Sequence, residues 1–182
     1  MQAIYGYDFV TGASTLFEVK KTKARRYPLP NPVEVSVRTD CGTLHARTEA
    51  GFEFDGRSGP SVLDWYVPNL GSLDERLGWW LHDCLGYGQS LSFYDTNLFL
   101  KLWLRDMCAY SAFKSEIIRK AVSLSKSWYG YPYSSDDPWH CNVNKVHTDW
   151  MPHKEQSSVI CKEKGLQSGS FNDKARSAGL VA

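Results

Sequence analysis

No stretch of this chain approaches the run of about eighteen apolar residues that a membrane-crossing helix requires, so a helical membrane anchor is not expected. The opening residues, Met1-Gln-Ala-Ile-Tyr-Gly-Tyr, lack the basic start and apolar stretch of a secretory signal, and the protein is expected to be made and kept in a cytoplasm. Charge of one sign is lacking too: 21 Lys and Arg stand against 20 Asp and Glu, a net charge of +1. That balance excludes a long-range field drawing the whole molecule onto nucleic acid or a membrane surface, and no sequence-specific nucleic-acid partner is expected. Cysteine is sparse, with five residues, Cys41, Cys84, Cys108, Cys141 and Cys161, and no C-x-x-C pair. An odd, scattered set argues against a disulfide framework and for free thiols in a reducing compartment.

What is present suffices for a core. The 182 residues, 42% of them hydrophobic, suit one domain with small appendages. Aromatic residues make up 14%, and such rings serve interfaces as well as cores, which points to assembly into something larger. Residues 1–32 read as an N-terminal arm or edge strand, with Leu16, Phe17 and Val19 followed by the basic run Lys20, Lys21, Lys23, Arg25 and Arg26 and then Pro28, Pro30 and Pro32. Residues 33–130 read as an α+β core. Val33, Val35 and Val37 recur with period two, Thr39-Asp-Cys-Gly42 offers a turn, and Leu44, Ala46 and Thr48 resume the alternation, which predicts a hairpin over 33–48. A short strand at Gly51-Phe-Glu-Phe54 leads into a Gly/Pro loop, Asp55 to Ser61. Three helices follow: one capped by Ser72 or Asp74 and reaching about Leu85, one from near Ser92 to about Cys108, and one carrying Phe113, Ile117, Ile118, Ala121, Val122 and Leu124. Residues 131–182 read as a C-terminal extension, tail-like from about 154, that orders only against a partner.

Chemistry concentrates in the middle third, in Asp55-Gly-Arg-Ser58-Gly-Pro60, His82-Asp83 and Asp95-Thr-Asn-Leu-Phe99. Asp95 has Leu91, Leu98, Phe99 and Leu102 at −4, +3, +4 and +7, so helical geometry turns its carboxylate inward, where it needs a donor or a cation. His82, flanked by Trp79 and Leu85, lies on the preceding helix. A short Gly-containing turn brings the two helices antiparallel, so His82 and Asp95 are expected to meet, a pairing suited to a general base or a metal ligand. Asp83 points about 100° away from His82 and is expected to face Asp55. Two such carboxylates beside loop carbonyls are hard-oxygen ligands for a divalent cation, Ca²⁺ or Mg²⁺. The competing interpretation is structural: loop amides satisfied by Asp55 and Ser58, a turn capped by Asp83, and a buried hydrogen bond from His82 to Asp95.

These motifs resemble a phage and prophage family, domain of unknown function 1353, whose pattern is G-F-x-x-D-x-x-S-x-P, then H-D-x-L-Y, then D-x-x-F. The resemblance covers roughly residues 33–130 in the same order; here Gly86 stands between Leu85 and Tyr87, and Gly59 precedes Pro60. It implies a viral or prophage gene without an assigned activity, and other phage proteins as partners. A looser motif similarity links His82-Asp83 and Asp95 to the phospholipase A-two fold. It implies His82 as the base, Asp83 as a calcium ligand and Asp95 as the orienting carboxylate. Two functions are therefore expected to compete: a virion or assembly component, in the host cytoplasm during synthesis and then in the particle, binding neighbours through its terminal extensions, and a metal-dependent hydrolase. His140, Cys141, His147, His153 and Cys161 could supply zinc ligands, although their spacing fits no common zinc unit. The basic run is most simply a solvated arm, with contact to phosphate or an acidic partner as its alternative.

Overall fold

The computed structural model describes residues 1–22, 26–55, 71–124 and 144–153. The fold is α+β, as the alternation of patterns predicts. Strand β3 (Val33–Thr39) and strand β4 (Gly42–Thr48) form the expected hairpin. Val33, Val35, Val37, Leu44 and Ala46 are buried on one face, while Glu34, Ser36, Thr43, His45 and Arg47 lie on the other. The turn is locked by Thr39, whose hydroxyl accepts from the amides of Cys41 and Gly42 at 3.2 and 3.1 Å and donates to the Gly42 carbonyl at 2.8 Å.

Both ends of the described chain extend this hairpin into a four-stranded antiparallel sheet, in which β1 (Ile4–Thr11) and β6 (Val146–Pro152) flank it in the order β1-β3-β4-β6. Strand β1 (Ile4–Thr11) is the edge beside β3, so the edge-strand alternative for the N-terminal segment is the one found, and Met1, Ile4 and Leu16 belong to the core. Strand β6 (Val146–Pro152), within the segment expected to be an extension, is the edge beside β4. Pairing therefore crosses both boundaries drawn at 33 and 130. The period-two pattern of Val146, Thr148 and Trp150 signalled β6, but its intervening His147 and Asp149 made it read as a polar loop. The short strand β5 (Glu53–Phe54) does not join the hairpin; it pairs with β2 (Tyr27–Pro28), with Tyr27 and Phe54 stacked at 5.1 Å. The Gly/Pro loop after Asp55 and the tail from 154 lie outside the described residues.

Helix α1 (Ala13–Glu18) follows β1, and its terminal carbonyls are gathered by Arg76, whose Nη1 donates to the Leu16, Phe17 and Val19 oxygens at 3.3, 2.7 and 3.1 Å. Helix α2 (Leu73–Gly88) starts at Ser72 in a capping box: Ser72 Oγ accepts from the Glu75 amide, and Glu75 accepts from the Ser72 amide. Helix α3 (Phe93–Asp106) is capped by Ser92, and helix α4 (Ala112–Leu124) packs on α3. Glu116 of α4 bridges Lys101 at 3.0 Å and Arg119 at 2.5 Å, and these bonds, Arg119 first, hold its carboxyl down at about 2.

Helix α2 is the centre of the molecule. It packs against β4 and β6 above and α3 beside it, and every residue from Leu77 to Tyr87 is buried. Trp80 Nε1 donates to Thr48 Oγ1 at 3.2 Å, tying the helix to β4. Two glycines set its distances from its neighbours. A Cβ on Gly78 would collide with the indole of Trp103 in α3, and one on Gly88 would collide with Thr148 of β6. Trp103 is fully buried and its Nε1 donates to the Asp74 carbonyl at 2.8 Å, so it cannot swing aside. Gly78→Ala is therefore expected to destabilise the protein by about 1–3 kcal/mol through overpacking, despite alanine's better helix propensity. A urea midpoint equal to or above that of the wild type would contradict this reading of the α2–α3 contact.

Candidate functional site

Helix α2 carries His82 and Asp83 into the interior, 6% and 5% exposed, and α3 brings Asn97, 0% exposed, against them. The His82 ring lies edge-on to Trp79 at 6.2 Å between centroids. Its Nε2 lies 3.0 Å from Asn97 Oδ1 and its Nδ1 lies 3.4 Å from Asp83 Oδ1. The second Asp83 oxygen accepts from the Asp55 backbone amide at 3.0 Å. The result is one chain of polar groups running from the last residue of the β5 segment through α2 to α3. Asp83 reaches the backbone amide of Asp55, a direction its angular offset from His82 allows.

Asp95 is not the partner of His82. It is buried, at 5% exposure, as its apolar neighbours demand, but its Oδ2 accepts from the Ser92 hydroxyl at 2.6 Å, and its amide donates to that same hydroxyl at 3.1 Å. Asp95 is the third residue of α3, within easy reach of the helix N-cap, and this local bond takes the carboxylate that the sequence assigned to His82. The residue that does meet His82, Asn97, carries a weaker inward signal, with Phe93, Leu100 and Leu104 at −4, +3 and +7 but Lys101 at +4. Without a charge, it did not draw the eye as a catalytic candidate.

Both His82 nitrogens face oxygen acceptors, so the arrangement is that of an imidazolium donating on both sides. Burial opposes that charge, but the hydrogen bond and charge of Asp83, then Asn97, then the charge of Asp55, outweigh it and hold the His82 pKa above its ordinary value. Asn97 Nδ2 is buried and has no hydrogen-bond partner among the described residues. Turning this amide end for end would let Nδ2 donate to a neutral Nε2 and leave the carbonyl unpaired instead. The network thus trades one proton against one amide orientation. With both nitrogens engaged and the ring shielded, His82 has no free valence to offer a substrate in this arrangement.

Asp55 and Asp83 are the acidic groups proposed for a cation. As placed, Asp83 accepts hydrogen bonds at both oxygens, and two carboxylates fall well short of the roughly six to eight oxygens that Ca²⁺ takes. Among the described residues no three His, Cys, Asp or Glu side chains converge on a common point. In the possible zinc set, His140, Cys141 and Cys161 lie outside the described residues. His147 sits in β6 and His153 just beyond it, about 20 Å apart along extended chain, too far to share an ion. His153 instead closes the hairpin turn, its amide donating to the Cys41 carbonyl and its Nε2 lying 3.2 Å from the Thr39 carbonyl. Of the basic run, Lys23 and Arg25 lie outside the described residues. Lys20 and Lys21 are exposed, Lys21 Nζ lies 6.0 Å from the Tyr27 ring centre, and the Thr22 amide donates to the Arg26 carbonyl at 2.7 Å. Cys41 and Cys84 are buried and Cys108 is half-buried; burial pushes the Cys84 thiol well above its usual range. No helix among the described residues is long and apolar enough to cross a membrane. Compared with family models, with curated proteins and with solved structures, the chain finds no match.

A raised native pKa means that His82 adds stability in full below its unfolded value, near 6.5, and that this contribution is lost as the pH climbs through the higher native value. Asp83→Asn removes the charge responsible. It is expected to drop the His82 titration, followed by NMR at the imidazole Cε1 proton, and to cost about 3 kcal/mol at pH 6, shrinking toward alkaline pH. An unchanged His82 titration would show that Asp83 does not set the charge of the ring.

Proposed function

We propose that this chain is a bacteriophage virion or assembly component that binds neighbouring subunits, made in the host cytoplasm and carried into the particle. The observation that supports this reading is how the buried motif residues are engaged: His82 and Asp83 direct their side-chain hydrogen bonds to each other, to Asn97 and to the Asp55 backbone amide. A group set of that kind braces a fold rather than offering a reactive atom. The described surface supplies contact area as well. Phe17, Tyr94, Phe113 and Leu124 are each more than 60% exposed, on the α1 and α3–α4 flanks, and the exposed Lys20 and Lys21 stand just beyond α1, at the start of the basic run Lys20, Lys21, Lys23, Arg25 and Arg26 in the sequence. The phage assignment itself rests on the motif order Asp55 to Pro60, His82-Asp83 and Asp95 to Leu98.

A second reading is favoured by one observation, the basic His82 held against Asp83 beside an Asn97 amide that lacks a partner among the described residues. Perturbed buried groups of this kind do occur in active sites. In a hydrolase built on it, Asp83 takes the orienting place foreseen for Asp95, and Asp55 with Asp83 is the place for Ca²⁺ or Mg²⁺.

Mass spectrometry of purified particles, together with ester and phospholipid hydrolysis by the isolated protein with and without EDTA, separates the two. The assembly reading expects the chain in the particles and no hydrolysis above a His82→Gln control. Metal-dependent turnover that disappears in His82→Gln, from a protein absent from particles, would replace assembly with the hydrolase.

A further inference from the structure

The two edges of the main sheet are built differently. Strand β1 shifts register against β3 twice, between Ile4 and Gly6 and between Phe9 and Thr11. Such irregularities are how natural sheets blunt an edge against strand addition. Strand β6 pairs with β4 without interruption from Val146 opposite Thr48 to Pro152 opposite Gly42. Among the described residues it has no neighbour on its outer side.

The hydrogen-bond pattern fixes which groups that edge presents. The Glu49 amide donates to the Lys145 carbonyl, and the His153 amide donates to the Cys41 carbonyl. Antiparallel pairing alternates, so residues 147, 149 and 151 also bond toward β4, while the backbone groups of Val146, Thr148 and Trp150 point outward. Side chains alternate as well. Val146 is buried and Thr148 lies against Gly88 of α2, so these and Trp150 share the helix-covered face, and His147 and Asp149 stand exposed on the other.

The geometry points to β6 as a homotypic docking edge, at which a second copy of this chain adds its own β6 antiparallel, about a two-fold axis through Thr148. The register follows from charge and from the outward groups together. Centring on Thr148 sets Val146 against the partner's Trp150, with both carrying outward amides and carbonyls. It also sets His147 against the partner's Asp149, twice by symmetry, in the close non-hydrogen-bonded positions where side chains interact best. Centring one residue later would place Asp149 opposite Asp149, and would call on Pro152, which has no amide to donate. Centring one residue earlier would place His147 opposite His147. On the covered face, Val146 against Trp150 gives an aromatic and β-branched pair. The inference deepens the assembly reading, on which its biological meaning rests, by naming one partner as another copy.

Sedimentation velocity of the full chain between about 1 and 300 μM tests it, over a range that brackets modest protein association. In buffer at about pH 5.5, on the acid side of an ordinary imidazole, a concentration-dependent dimer is expected, weakened at least tenfold in Asp149→Lys and in His147→Glu, and restored when both changes are combined, because the double variant again sets opposite charges across the axis. Both positions are exposed, and circular dichroism reports whether each variant folds. Hydrogen exchange on the unmodified protein supplies an independent readout. The Thr148 and Trp150 amides should gain protection with concentration, while those of His147 and Asp149, already bonded to β4, should not. A wild type that stays monomeric throughout the range, or a dimer indifferent to both single charge reversals, overturns the proposal. Failure here is distinguishable from failure of the assembly reading: a monomer found in particles rejects only the β6 pairing, and a β6 dimer absent from particles rejects only the assembly role.

Discussion

Everything in this fold depends on the burial of α2 on all sides. An ordinary surface helix hides one stripe and lets its polar residues look outward, but from Leu77 to Tyr87 this one has no outward side. Each polar group it carries must therefore be satisfied by another element. Trp80 finds Thr48 in β4, His82 finds Asn97 in α3, and Asp83 finds the Asp55 amide at the end of the β5 segment. The polar network and the apolar core are two consequences of the same placement, and each helps to fix the position of the helix between the sheet and α3.

That placement also explains how the ionisable groups behave. A carboxylate as deeply buried as Asp83 needs donors on its oxygens, and the cheapest ones available are a backbone amide and the imidazole next to it in sequence. Its charge then makes the imidazolium the favoured form of His82 against the cost of burial. The residual defect is the Asn97 amide nitrogen, which no described group satisfies. Filling it would require either loss of the His82 proton with the amide reversed, or a further acceptor brought to α3. The strain of the arrangement is thus confined to one side chain and one proton.

What could be read from the sequence was whatever is decided locally. Alternation over Val33 to Thr48, the turn at Thr39, a cap at Ser72 or Asp74, which proves to be Ser72, the helix start near Ser92 and the burial of Asp95 all follow from neighbours within a few residues, and the structure contains each of them. The partner of His82 was not decided locally. It depends on the rotation of α3 about its own axis relative to α2, which is set by Trp103 seating against Gly78, a contact invisible to helical periodicity. For Asp95 the error lay in overlooking a competitor: an inward carboxylate three residues beyond a serine cap can be satisfied without leaving its own helix. The exposed β6 residues misled for a related reason. His147 and Asp149 look like ligands when read one at a time, and like a strand face only when Val146, Thr148 and Trp150 are read with them.

The placing of the two edge strands has a consequence for how the molecule holds together. The central hairpin turns Val35, Val37, Leu44 and Ala46 toward the helices, and these are covered only if the sheet is wide enough to span both α2 and α3. Two strands cannot do this. β1 carries the sheet over α3, where Tyr7 packs on Trp103 at 5.3 Å, and β6 carries it over α2 through Thr148 at Gly88. The N-terminal segment is fastened again by Asp106 of α3, which accepts from the Ile4 amide at 2.9 Å, and by Asp40, which accepts from the Gln2 amide. Segments from the two ends of the described chain thus close the two sides of one core. A piece limited to residues 33–130 would expose both flanks of its hairpin and uncover one side of α2, the helix least able to meet water because its polar groups already bond inward. The cooperative unit must extend at least from the first strand to the last, and the pairing of β6 with β4, which are far apart in sequence, makes its completion depend on a non-local contact of the kind that slows folding.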